Sequence, residues 1–105
     1  MEKEKASRCE LQVMRVIWSS KEDMSLQPII RAVNHNTGND WKPQTVSTFL
    51  VRLVQKGWIT GYRNGRHVYY RPLVSKTEWI IEETMENCKI ADVSEADLIE
   101  ILRKQ

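Results

Sequence analysis

Apolar residues recur at three- and four-residue spacing in five stretches of the chain, and between the third and fourth the pattern changes to short β-branched and aromatic runs. Ser7-Arg8-Cys9-Glu10 has capping-box spacing and opens a first helix whose apolar face is Leu11, Met14 and Trp18, with Val13 and Ile17 beside them. Residues 19–23 are polar and read as a loop. Ser25 is placed to cap a second helix running to about Asn34, with Ile29, Ile30 and Val33 as its stripe and Pro28 tolerated in the first turn. The run from Asn34 to Asp40 is rich in turn formers and ends that helix.

Pro43 suits the first position of a third helix and Gly57 its end. Val46, Phe49, Leu50 and Leu53 share one face of it; Gln44, Ser47, Thr48, Val51, Arg52 and Gln55 share the other. That outer face carries amide, hydroxyl and guanidinium groups, the types that meet base edges and phosphates in a major groove. Residues 58–63 and 66–71 then read as two strands around an Asn64-Gly65 turn, with Arg63, Arg66 and His67 near the tip. Three helices followed by a basic hairpin is the order of a winged helix.

After Pro72-Leu73 the composition shifts. Ser75-Lys76-Thr77-Glu78 predicts a helix to about Asn87, with Ile81, Met85 and Cys88 on one stripe and Trp79 and Ile80 adding bulk. Ser94 opens a last helix bearing Leu98, Ile101 and Leu102. These stripes need a covering surface, and the same segment of a second chain is the simplest one; packing back on the first helix is the alternative. The expected fold is mainly α with a small β-hairpin. It comprises a winged helix-turn-helix domain over residues 1–74 and a helical dimerisation segment over residues 75–105, with Trp79, Ile81, Met85, Leu98, Ile101 and Leu102 at the dimer face.

Charge sharpens this picture. Residues 1–74 carry twelve Lys/Arg against six Asp/Glu and residues 75–105 four against eight, balances of +6 and −4. Between Trp41 and Leu73 stand Lys42, Arg52, Lys56, Arg63, Arg66 and Arg71 without one acidic residue, as expected of a surface that meets phosphates. Lys42 and Lys56 thereby join the expected DNA contacts. With 41% hydrophobic and 29% charged residues the chain is ordinary for a soluble globular protein. It has no apolar run long enough for a membrane span, and its charged start lacks a secretory apolar region, so a cytoplasmic location is expected.

Cys9 and Cys88 match neither a metal pair nor a disulfide scaffold, and no metal or other cofactor is expected. His35, expected in a turn, and His67 have no acidic cluster or Gly-rich phosphate loop near them in sequence, which disfavours an enzyme. Trp41 and Trp58, flanking the third helix, read as packing residues rather than base-stacking platforms. A winged helix used purely for protein interaction is the competing reading.

The chain resembles the BlaI/MecI/CopY family of bacterial repressors. The resemblance is carried by residues 10–18 (ELQVMRVIW), by residues 40–57 (DWKPQTVSTFLVRLVQKG), which follow the family pattern W-x-P-x-T through R-L and K-G, and by residues 69–74 (YYRPLV). It implies a dimeric winged-helix repressor of a palindromic double-stranded operator, often built on TACA and TGTA half-sites. Gln44, Thr45, Ser47, Thr48 and Arg52 fall where such proteins approach DNA, and Arg63 and Arg66 fall on the wing. Ser47 stands where relatives often have a long basic residue. Relatives usually have a longer dimerisation region, and about a helix is expected to be missing between Asn87 and Val93. Neither a cysteine-rich C-terminal hook nor an Asn-Phe cleavage bond is present, the one Phe being Phe49 after Thr48. Control by an antirepressor or protease acting on the C-terminal segment is therefore expected in place of metal release.

Overall fold

The computed structural model describes residues 4–105, which form two compact units that divide between Val74 and Ser75. The first contains α1 (Arg8–Ser19), β1 (Met24–Ser25), α2 (Leu26–Thr37), α3 (Pro43–Gln55), β2 (Ile59–Asn64) and β3 (His67–Pro72). The second contains α4 (Lys76–Ala91) and α5 (Glu95–Arg103).

Both halves of the expected capping box start α1: the Ser7 hydroxyl accepts from the Glu10 amide, and the Glu10 carboxylate accepts from the Ser7 amide. Its core face is Val13, Met14, Val16 and Ile17: Val16 joins the expected face, while the expected Leu11 and Trp18 are only half-buried. α1 packs on α2, α3 and β3, and α2 on α3. Ile29, Ile30, Val33, Val46, Leu50, Leu53, Trp58, Ile59 and Val74 complete the core.

Four expectations change in this unit. Ser25 precedes α2 but its side chain caps nothing, because its backbone is a strand paired with Tyr69. α2 runs past Asn34 to Thr37, so that His35 is helical, and Gly38 ends it at φ 73, a conformation costly for residues with a Cβ. The β-structure is a three-stranded antiparallel sheet in the order β1-β3-β2 rather than a hairpin alone. The hairpin also turns one residue later than Asn64-Gly65: Asn64 pairs with His67, leaving Gly65 and Arg66 at the tip. Gly65 has φ 67 and Arg66 does not enter the positive region, the pattern of a type II′ turn.

In the second unit, Ser75 and Ser94 cap their helices by accepting from the amides of Glu78 and Asp97. α4 continues beyond Asn87 to Ala91 and ends where Asp92 turns left-handed at φ 56, with the Val93 amide donating to the Cys88 carbonyl in a Schellman-type closure. The segment after Asn87 is thus one more helical turn and a cap. No residue of this unit is buried.

Candidate nucleic-acid interface

The turn between α2 and α3 is fixed chiefly by Asn34. Asn34 accepts from the Trp41 amide at 2.9 Å and donates to the Trp41 carbonyl at 3.1 Å, fixing the chain two residues before Pro43 starts α3. The Trp41 ring lies against Phe49, centroids 5.2 Å apart, so the entrance to α3 is anchored by backbone and ring together. At the other end Trp58 is buried, its indole N–H donating to the Glu4 carbonyl, and its ring lies tilted on Trp18. Trp41 and Trp58 are packing residues here.

With Val46, Leu50 and Leu53 facing the core, α3 turns Gln44, Thr45, Thr48, Val51, Arg52 and Gln55 to solvent, with Ser47 half-buried at the margin. The Thr48 hydroxyl donates to the Gln44 carbonyl at 2.9 Å, so towards a ligand its oxygen is left as an acceptor. Arg52, Arg63 and Arg66 are exposed and have no ion-pair partner among the described residues. Arg66 sits at the tip of the wing itself. Lys42 pairs with Asp40 at 3.1 Å, both nearly fully exposed; such pairs are worth little and yield readily to a phosphate.

Lys56 departs from its expected role. Its ammonium lies 2.6 Å from Glu10 Oε1 and also donates to the Lys5 carbonyl, with only 19% of the side chain exposed. Glu10 is 1% exposed. Burial pushes its carboxyl up, but Lys56 and the Ser7 amide together hold it below the ordinary carboxylate range. Lys56 therefore serves the buried carboxylate and ties the end of α3 to α1, rather than standing free for a phosphate.

Arg71 is likewise engaged. Asp23 Oδ2 accepts from Tyr62 Oη at 2.5 Å and from Arg71 Nε at 3.1 Å, and the Arg71 guanidinium lies over the Tyr62 ring at 5.3 Å. The Tyr62 hydroxyl, then Arg71, draw the Asp23 carboxyl below its usual range, and the same contact raises the Tyr62 phenol. Asp23 thus ties both wing strands to the loop after α1. Residues 19–23 read as a plain polar loop in the sequence, and Asp23 carries no local signal, since its partners are 39 and 48 residues away. Asn34 is hidden similarly among turn formers.

Of the expected dimer residues, Trp79 and Leu98 are half-buried, and Ile81, Met85, Ile101 and Leu102 are exposed. Cys9 and Cys88 are free thiols, and no cluster of His, Cys, Asp or Glu able to hold a metal occurs among the described residues. No described helix is long and apolar enough to cross a membrane.

The fold is similar to the solution structure of the DNA-binding domain of the repressor BlaI, with a TM-score of 0.60 and 29% identity over 73% of this chain and 93% of that one. It is equally similar to monomeric Bacillus licheniformis BlaI in complex with the blaP half-operator, with a TM-score of 0.59 and 30% identity over 73% and 90% of the two chains. In sequence it is 31% identical over 74 residues to the penicillinase repressor of Bacillus licheniformis, and 32% identical over 72 residues to the methicillin resistance regulatory protein MecI of Staphylococcus aureus (strain N315). These alignments cover 70% and 69% of this chain and 56% of each relative, so the chain spans little more than half the length of the curated relatives it matches. The penicillinase repressor family model matches residues 6–104, both units included. From α1 to α5, the chain belongs to the penicillinase repressor family.

Proposed function

We propose that the chain is a sequence-specific repressor that binds double-stranded DNA as a homodimer on a palindromic operator. The observation that carries the reading is the outer face of α3: hydroxyl and amide groups with Arg52, solvent-facing apart from the half-buried Ser47, on a helix whose two ends are anchored by Trp41 and Trp58. In this reading Gln44, Thr45, Ser47 and Thr48 face base edges, while Lys42, Arg52, Arg63 and Arg66 take phosphates. A relative of the same fold with a half-operator bound supports that docking. Lys56 supports α3 from behind.

Residues 1–74 are the DNA-binding domain and residues 75–105 the dimerisation segment, with Trp79, Ile81, Met85, Leu98, Ile101 and Leu102 meeting their copies across a two-fold axis. Two half-sites gripped at once bind far more tightly than one, so a partner that sequesters or cleaves the C-terminal segment would release the operator. Such a repressor works in the cytoplasm, and it needs neither catalysis nor a cofactor.

The experiment is selection of duplex DNA from a random pool by the purified full-length chain. Enrichment of a palindrome with two equal half-sites is expected. Retention without an enriched sequence would remove base reading, and no retention at low salt would favour a protein-interaction module instead.

A further inference from the structure

Among the polar groups on the outer face of α3 stands one branched apolar side chain, Val51, 55% exposed. At 3.6 residues per turn it lies one turn after Ser47 and Thr48 and one turn before Gln55, within the polar stripe. Val54, 42% exposed, lies at the margin of the stripe, beside Ser47 and Leu50. Val51 contributes nothing to the core, which takes Val46, Leu50 and Leu53 from this helix.

We infer that Val51 is a specificity-determining residue that reads the C5-methyl group of a thymine. This rests on the reading of α3 as the helix that enters the major groove. The edges of the four base pairs present donors, acceptors and a single apolar group, the thymine methyl. An isopropyl group has neither donor nor acceptor. Against a guanine, adenine or cytosine edge it would strip water from polar atoms and return no hydrogen bond, whereas against thymine it buries methyl on methyl. The neighbouring Thr48 complements this rather than duplicating it: its proton is already donated to the Gln44 carbonyl, so it can accept an amino proton from adenine or cytosine but cannot itself donate to the thymine O4.

The test uses the full-length chain and the duplex it selects from a random pool, with each thymine replaced in turn by deoxyuridine, which removes the methyl and leaves every hydrogen-bonding atom. Binding should weaken about fourfold at one thymine per half-site, the worth of one buried methyl. In Val51→Ser, which leaves no methyl at this exposed position, the same replacement should have no effect, and the variant should select less strongly for thymine there. If all uracil replacements are neutral, or if the loss persists in Val51→Ser, the assignment to Val51 is wrong while base reading by α3 stands. If the chain enriches no sequence at all, base reading by α3 falls and the inference with it.

Discussion

Replacing Lys56 by Met leaves the Glu10 carboxylate 1% exposed with only Ser7 to answer it. Removing one partner of a buried ion pair costs about 3 to 5 kcal/mol, and the partial exposure of Lys56 places this case near 3 kcal/mol. Glu10→Gln should cost less, about 1.5 kcal/mol. The amide oxygen still accepts from the Ser7 amide, and the freed ammonium can turn to water. With a urea slope of about 1.5 kcal/mol/M, the unfolding midpoint should fall by about 2 M for Lys56→Met and about 1 M for Glu10→Gln. The double variant should lose clearly less than the two combined, because neither buried charge remains.

Acidification supplies a second signature. In the wild type Glu10 titrates below its ordinary value of 4.5, so its contribution is intact above that pH and is lost as pH falls through the folded value. In Lys56→Met burial raises the carboxyl with only the Ser7 hydrogen bonds opposing it, so protonation relieves the variant and its deficit should shrink as the solution is acidified. On DNA, Lys56→Met should leave the salt dependence of binding unchanged where the variant is folded. Additive single costs, or a salt slope lower by about 1, would refute this account; the slope change would place Lys56 on a phosphate.

Arg66→Ala and Arg52→Ala should each lower that salt slope by about 1 and weaken binding to all sequences alike, as read by fluorescence anisotropy from low to moderate salt. Tyr62 should ionise above its ordinary 10.0, so that the bond to Asp23 persists below pH 10 and is lost as pH rises through the folded value; Asp23→Asn should bring the phenolate absorbance transition back down. Ile81→Glu and Ile101→Glu, at positions 55% and 48% exposed, should leave each unit folded but shift the sedimenting species to the monomer and weaken operator binding; dimers of unchanged affinity would place the interface elsewhere.

How much of this was legible before any coordinates depended on the range of the signal. The caps at Ser7, Ser75 and Ser94, the start of α3 at Pro43 and its two faces are written in residues three or four apart, and they stand as read but for Phe49 and Ser47, which sit half-buried between the two faces. The one-residue shift of the hairpin shows a competition the sequence leaves open. Asn-Gly favours a turn at 64–65, but pairing Tyr62 with Tyr69 and Asn64 with His67 stacks the tyrosines and leaves Gly65 to supply the positive φ. β1 is two residues long and exists only because β3 is beside it. Lys56 and Arg71 look the same as Arg52 and Arg66 in the string of letters. What separates them is Glu10 and Asp23, each more than forty positions away along the chain.

The short pairing of β1 with β3 also bears on the order in which the molecule assembles. It joins Met24 and Ser25 to Tyr70 and Tyr69, closing a loop of about 45 residues, whereas α1, α2 and α3 meet through shorter connections. The helices can therefore condense first and the wing dock onto them last. The same asymmetry in reverse makes parting β3 from β1, with Trp58 and Ile59 kept in the core, less costly than parting the three helices. Amide protons of Tyr69 and Tyr70 should exchange with solvent water sooner than those of Val46 or Leu50, through an opening that leaves the three helices packed.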